Sequence, residues 1–415
     1  MDLDLSKIKK VFFVGIGGIG ISAIARMLYL EDKEVSGSDM SENALTHELS
    51  EFGIKITIGQ GFDLIPKDVD LIVYTIAIPH YDPKLFEQIK NSGIPYKSYP
   101  QMLGLVTANK NTIAISGTHG KTTTTAMIGK ILMDAKLDPS IIVGSLLKES
   151  KSNLIVGKSD LFVVEACEYE RSFLNLKPKI LVITNIEPDH LDYYKDLDDI
   201  KTAFKQLAAQ SEKVISDYTE YLDKVPKLTV PGIHNRMDAA AAYAVAEFLH
   251  IPEEIIKKSL AEFSGTWRRL EKKGITKEGV IIYDDYAHHP TEIQASLQAL
   301  RELYPKDSKR ITVLFQPHLY SRTKALFDDF AKSFKLADQV LLLPIYFARE
   351  DKDESISSEK LAEAITLAGD KAQAFASFEL AENYAKALNL GEKDVFVTMG
   401  AGEAYKVADK VFDIS

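Results

Sequence analysis

The sequence contains a single cysteine, Cys167, and no uncharged apolar run approaching the roughly 18 residues that cross a bilayer. One thiol excludes an internal disulfide framework and is compatible with a reducing cytosol. The N-terminus carries Asp2 and Asp4 instead of a basic region followed by an apolar one, so a secretory signal is not expected. Basic clusters are scarce as well. Lys and Arg number 50 against 60 Asp and Glu, and the net charge of -10 is spread with both signs interspersed. A nucleic-acid surface would need clustered cations to neutralise phosphates, so no nucleic-acid partner is expected. By elimination the chain is expected in the cytoplasm, with no membrane insertion. Short repeats and low-complexity segments are also lacking. What remains is a globular composition, 46% hydrophobic and 27% charged, in a chain of 415 residues that suggests several domains.

Short apolar runs alternate with helical stretches along the chain. KVFFVG (10–15) reads as a buried strand, ISAIARMLYL (21–30) has helical spacing, and DLIVYT (70–75) returns to a strand. A second unit starts at NTIAIS (111–116), runs into a glycine turn and the helix-forming TTTTAMIGKILMDA, and adds LFVVEA (161–166) and ILVITNI (180–186) as strands. DAAAAYAVAEFL (238–249) closes it. A third opens near Trp267 with VIIYDDY, ITVLFQ, QVLLLPIY and DVFVTMG. The rhythm predicts an α/β protein of three domains with parallel sheets, residues 1–105, 106–262 and 263–415. The charged stretch AREDKDES (348–355) reads as a solvated loop.

GIGGIG (15–20) follows a strand and opens a helix, with Asp39 about 20 residues on. Glycines there let backbone N–H groups at a helix N-terminus approach a pyrophosphate, and the acidic residue can hold a ribose hydroxyl. SGTHGKTTTT (116–125) is the stronger phosphate motif. Lys121 offers a point charge to the phosphates and the Thr122 hydroxyl suits Mg²⁺, in a loop that departs from the usual pattern because Ile115 stands at the first glycine position. VVEACEYE and TNIEPDH follow strands downstream, and Glu165 and His190 are the candidate metal ligands.

These motifs, together with YTIAIP (74–79), PGIHN (231–235), FSGTWRRLE (263–271), DDYAHHPTE (284–292), FQPHLYSRT (315–323) and MGAGE (399–403), resemble those of the Mur ligases over the whole chain. DDYAHHPTE and FQPHLYSRT are most similar to the L-alanine-adding members. The resemblance implies a Rossmann-like first domain, a central P-loop ATPase-like parallel sheet and a Rossmann-like third domain. It further implies ATP and Mg²⁺, with a muramate carboxylate converted to an acyl phosphate and then attacked by an amine. In that reading Gly15, Gly17, Gly18, Ile19, Gly20, Asp39 and Thr75 hold a UDP-sugar, UDP-N-acetylmuramate, and not NAD. Gly117, Thr118, His119, Gly120, Lys121, Thr122 and Thr123 hold the ATP phosphates. His234 and Asn235 lie on the adenine side, with Arg269 and Asp285 also at the nucleotide. Tyr286, His288, His318 and Arg322 surround the amino acid, L-alanine, and the muramate carboxylate. Thr122, Glu165 and His190 hold metal.

Four positions depart from the family pattern. Cys167 replaces an acidic residue beside the metal site, Leu319 stands where an arginine is usual, only 44 positions separate His190 from His234, and Lys205 lies near where some members carry a carbamylated lysine. A ligase that attaches a ready-made peptide to the same muramate is the nearest alternative. An NAD-dependent oxidoreductase is the alternative of another class, raised by GIGGIG and Asp39, and leaves GTHGKTTTT unexplained. Monomer and dimer are both left open.

Overall fold

The computed structural model describes residues 3–148, 150–347 and 350–414. Asp2, and Ala348 and Arg349 of the charged stretch, lie outside the described residues. The chain divides into two compact units. One comprises Met1–Ile186, Lys201–Asp217 and Ala244–Ile256, and the other Glu187–Ile200, Tyr218–Tyr243 and Lys257–Ser415.

The first unit contains two sheets. Strands β1 (Lys10–Val14), β2 (Glu34–Asp39), β3 (Lys55–Ile58), β4 (Leu71–Tyr74) and β5 (Tyr96–Ser98) form a parallel sheet in the order β3-β2-β1-β4-β5. All of β4 and Val11 to Val14 of β1 are buried, as expected of strands covered on both faces. The strand order reverses direction between β1 and β4. In sheets of this kind that point is where ligands bind, beyond the carboxyl ends of the strands.

The second sheet comprises β6 (Asn111–Ser116), β7 (Ser140–Leu147), β8 (Ser152–Ile155), β9 (Leu161–Glu165), β10 (Ile180–Ile183) and β11 (Lys213–Ile215), ordered β11-β10-β6-β9-β7-β8. β6 lies between β9 and β10, so the turn after it opens between the ends of two neighbours. β8 pairs antiparallel with β7. That hairpin departs from the purely parallel expectation because a short connection cannot make the crossover that parallel pairing needs.

In the second unit, β12 (Glu271–Ile275), β13 (Ile281–Asp285), β14 (Arg310–Phe315), β15 (Gln339–Leu342), β16 (Ala372–Ala374) and β17 (Asp394–Met399) are ordered β12-β13-β17-β14-β15-β16. Only β12 in this sheet runs antiparallel, again across a short turn to β13. All of β13 and β17 are buried. No helix among the described residues is long and apolar enough to cross a membrane.

Within the first unit the helix Ile19–Leu30 is fastened to β8 by a buried polar network. Asn153 has no exposed surface and donates to the Ile19 carbonyl and, at 3.1 Å, to the Ser22 hydroxyl. Its side-chain oxygen accepts from Arg26, which also donates to Ser152 at 2.9 Å and pairs with Glu48. A buried guanidinium is costly unless its donors are met, and here both terminal nitrogens of Arg26 are met while its Nε is left without a partner. Asn153→Ala orphans several of these groups at about 1–3 kcal/mol each, so the expected loss is roughly 3 kcal/mol of unfolding free energy. Urea denaturation of the full chain tests this, and a change below about 0.5 kcal/mol, the level of an ordinary surface substitution, would show the network to be dispensable.

Candidate active site

The diphosphate candidate is built at the ends of β1, β2 and β4. Helix Ile19–Leu30 starts with Gly18 as its N-cap and has no side-chain cap, which leaves first-turn N–H groups for a ligand. Thr75, just after β4, lies against Gly15 so closely that a Cβ there would collide with its methyl group. Asp39 accepts the Gly17 N–H at 2.8 Å through Oδ2, so this carboxylate shapes the loop. Spacing alone assigned it only to a ribose.

The ATP-type loop follows β6. Ile115 is fully buried inside the strand, so the turn starts two residues later, at Gly117, with φ of 137°. A Cβ at Gly117 would strike the Thr184 hydroxyl. The loop is pinned from β10: Thr118 N–H donates to the Asn185 carbonyl at 3.1 Å and His119 N–H to the Asn185 side chain at 2.9 Å. Gly120, in the left-handed region, caps the helix Lys121–Asp134, which contains Thr122 and Thr123. The Thr122 hydroxyl donates to Glu165 at 3.2 Å, and the other oxygen of Glu165 takes the Gly144 N–H from β7.

Lys121 folds back on its own loop, donating to the carbonyls of Gly117 and, at 3.1 Å, Thr118. It also pairs with buried Glu168 at 3.0 Å. Burial alone would depress this ammonium, but the Glu168 carboxylate outweighs it and the lysine is held protonated. Cys167 is exposed. The acidic partner of this loop is therefore the next residue, Glu168, which the sequence left undecided. Lys205 lies exposed on the helix Leu197–Ala209.

The second unit gathers most of the remaining candidates. His190 takes a left-handed backbone, φ 54°, a strained conformation for this residue type, with its N–H on the Asp189 carboxylate at 2.8 Å. Asp189 accepts from Arg322 Nε at 3.2 Å and from a second guanidinium nitrogen at 3.0 Å. Burial opposes ionisation of Asp189, yet Arg322 holds its carboxyl well below the usual range. Arg322 also meets His318 at 3.1 Å, and the rings of His318 and His288 lie 5.9 Å apart. His288 contacts the Tyr286 carbonyl at 2.9 Å through Nδ1. Pro188, Asp189, His190, Leu319, Ser321 and Arg322 line a cleft. Leu319 gives it an apolar wall from a strained position, φ 71°, fixed by its N–H on the Tyr346 carbonyl at 2.9 Å.

Asp189 escaped the sequence reading, which took only the histidine of the Asp-His pair. The described part of the charged stretch is a mostly exposed loop, as expected, and it also makes anchoring contacts. Glu350 accepts from the Ser321 backbone N–H at 3.0 Å and from its hydroxyl, and Asp353 pairs with Lys324 at 2.9 Å, so the loop clasps the helix carrying Arg322. Arg268, unremarked beside Arg269, is a structural cation. It binds Asp284 at 2.7 Å and the carbonyls of Gly400 and Gly402. Arg269 lies over the Tyr286 ring at 5.1 Å. Asn235 donates to the Pro231 carbonyl at 2.6 Å and lies 3.2 Å from His234 Nε2. DDYAHHP is indeed a capped helix start: His289 caps the helix Pro290–Leu303 in a reciprocal box with Glu292.

Burial pushes His234 and His288 down to about 4, while burial raises Asp285 to about 6 against the opposing hydrogen bond from Ser296. The two histidines contribute stability that is complete above their unfolded value near 6.5 and is lost as pH falls toward 4. Asp285 has the opposite sign, since the folded chain takes up its proton first. His288→Gln should therefore flatten the fall of the urea midpoint between pH 7 and 4.5. Parallel curves for the variant and the wild type would contradict this.

Three family descriptions match the chain in order: Mur ligase family, catalytic domain, at residues 10–111; Mur ligase middle domain at 115–227; and Mur ligase, glutamate ligase domain, at 268–402. The chain is 40% identical over 457 aligned residues to the UDP-N-acetylmuramate–L-alanine ligase of Agathobacter rectalis, covering 98% of each. With the enzyme of the same name from Clostridium acetobutylicum the identity is 40%, covering 97% of each. Among solved structures, the UDP-N-acetylmuramate-alanine ligase of Thermotoga maritima superposes with a TM-score of 0.81 at 26% identity, over 97% of this chain and 98% of that one. A murein peptide ligase from Psychrobacter arcticus shares the fold, with a TM-score of 0.71 at 21% identity over 97% of this chain and 98% of that one. The chain belongs to the Mur ligase family of ATP-dependent ligases.

Proposed function

We propose that this chain joins the amino group of L-alanine to the carboxylate of UDP-N-acetylmuramate at the expense of ATP, in peptidoglycan precursor synthesis. The observation that carries the reading is a diphosphate-type loop and an ATP-type loop within one unit, in a chain 40% identical nearly end to end to L-alanine ligases. The domains are taken as 1–105 for the UDP-sugar, 106–262 for ATP and 263–415 for the amino acid. The cytoplasm is the proposed location, and either a monomer or a dimer would serve this chemistry.

In this reading Gly15, Gly17, Gly18, Ile19, Gly20, Asp39 and Thr75 receive the UDP-sugar. Gly117 to Thr123 receive the ATP phosphates, His234 and Asn235 the base, and Arg269 and Asp285 complete the nucleotide site. Thr122 and Glu165 present oxygen donors 3.2 Å apart beside a phosphate loop, a donor set that suits Mg²⁺, and His190 is the proposed further ligand. Mg²⁺, when bound, neutralises phosphate charge.

The chemistry asks for charge neutralisation and positioning and needs no protein nucleophile. The muramate carboxylate attacks the γ-phosphorus of ATP, ADP leaves, and the amine then displaces phosphate from the acyl phosphate. Lys121 moves from Glu168 to the transferring phosphoryl oxygens, exchanging one anion for another. Arg322, whose planar fork can bind two oxygens, takes a substrate carboxylate, with His318, His288 and Tyr286 around it.

Phosphate release from ATP with UDP-N-acetylmuramate should be strongest with L-alanine among L-alanine, L-serine, glycine and L-alanyl peptides. Release only with a peptide would move the chain to the peptide-attaching branch, and release with none would refute ligation. Lys121→Ala should lower kcat at least about a hundredfold. Arg322→Lys should raise the KM for the amino acid roughly tenfold, because an ammonium cannot reproduce the fork, and an unchanged KM would remove Arg322 from the acceptor site.

A further inference from the structure

Tyr99 is the first residue of the helix Tyr99–Thr107, fixed there by Pro100 in the first turn and by the reciprocal Ser98–Gln101 box. Its phenol lies directly against Gly20, the last glycine of GIGGIG. A Cβ at Gly20 would collide with the ring carbon Cζ and with the hydroxyl oxygen. Glycine at position 20 thus admits a tyrosine hydroxyl to the first turn of the helix that opens the diphosphate loop. Tyr99 is half-buried, and among the described residues its hydroxyl has no hydrogen-bond partner from the protein. Phenylalanine would pack equally well in that position, and solvent still reaches the hydroxyl, so a ligand bound at this helix start can accept a hydrogen bond from it.

We propose that the Tyr99 hydroxyl donates a hydrogen bond to the diphosphate of the UDP-sugar, making Tyr99 a substrate-binding residue of this site. The proposal rests on the UDP-sugar reading above. The diphosphate is the part of that substrate a helix N-terminus attracts, and Gly20 belongs to that first turn. Burial, followed by the neighbouring Cys167 and Glu165, pushes the phenol well above its ordinary value. It therefore remains a protonated donor at neutral pH.

The test is calorimetric titration of the full-length wild type and Tyr99→Phe with UDP-N-acetylmuramate, with uridine as a probe lacking the diphosphate and with ATP. The variant should bind the UDP-sugar about tenfold more weakly, as expected for a lost hydrogen bond to a charged group, with uridine and ATP affinities unchanged. Steady-state rates should show the KM for the UDP-sugar rising by the same factor at unchanged kcat. Equal UDP-sugar affinities for the two proteins would overturn the assignment of Tyr99. A fall in kcat at unchanged KM would also overturn it, placing the hydroxyl at the chemical step. A folded wild type that binds ATP but no UDP-sugar would instead overturn the substrate reading itself, and this assignment with it.

Discussion

Bare backbone N–H groups at a helix start can meet phosphate oxygens only if no side chain stands in the way and nothing else has already taken them. Both phosphate loops of the first unit answer to that constraint. At the end of β1 the helix begins without a side-chain cap, and Asp39 takes one loop N–H while the first turn stays open. At the end of β6, Gly117 and Gly120 adopt left-handed backbones, and the loop is braced from behind by Thr184 and Asn185. The parallel sheets supply the rest. Their strand orders place each turn beside the carboxyl ends of neighbouring strands, which bring Thr75 to one loop and Glu165 to the other.

Two cations that such a ligase would use are already matched with carboxylates. Lys121 rests on Glu168 and Arg322 on Asp189. A buried cation without a partner would be costly, so each is stored against an internal anion. An incoming phosphate or carboxylate then replaces one partner with another, and the protein keeps its charges compensated throughout. Glu168 also accounts for the tolerance of Cys167: acidity beside the loop is supplied one residue later.

The acceptor side shows how packing can replace a charge. Leu319 sits buried in a strained backbone conformation and forms an apolar wall beside Arg322. The helix carrying Arg322 is held by Glu350 and Asp353, residues whose charge density had suggested only a solvated loop. Backbone strain is held in place by such surrounding contacts, here the Tyr346 carbonyl and the charged clasp.

The sequence by itself determined the apolar strands at the middle of each sheet, the two phosphate loops and the family, because apolar runs and glycine-lysine spacing are local signals. NTIAIS became β6 at the same residues, and GTHGKTT became the loop that follows it. Only the tertiary structure decided what those residues touch. Asn153 joining the glycine-rich helix, Asp189 holding Arg322, Asn185 bracing the ATP loop and Tyr99 lying on Gly20 are partners far apart in the chain. A hydrogen bond between distant residues leaves no periodicity or spacing behind, so no local pattern could have announced them.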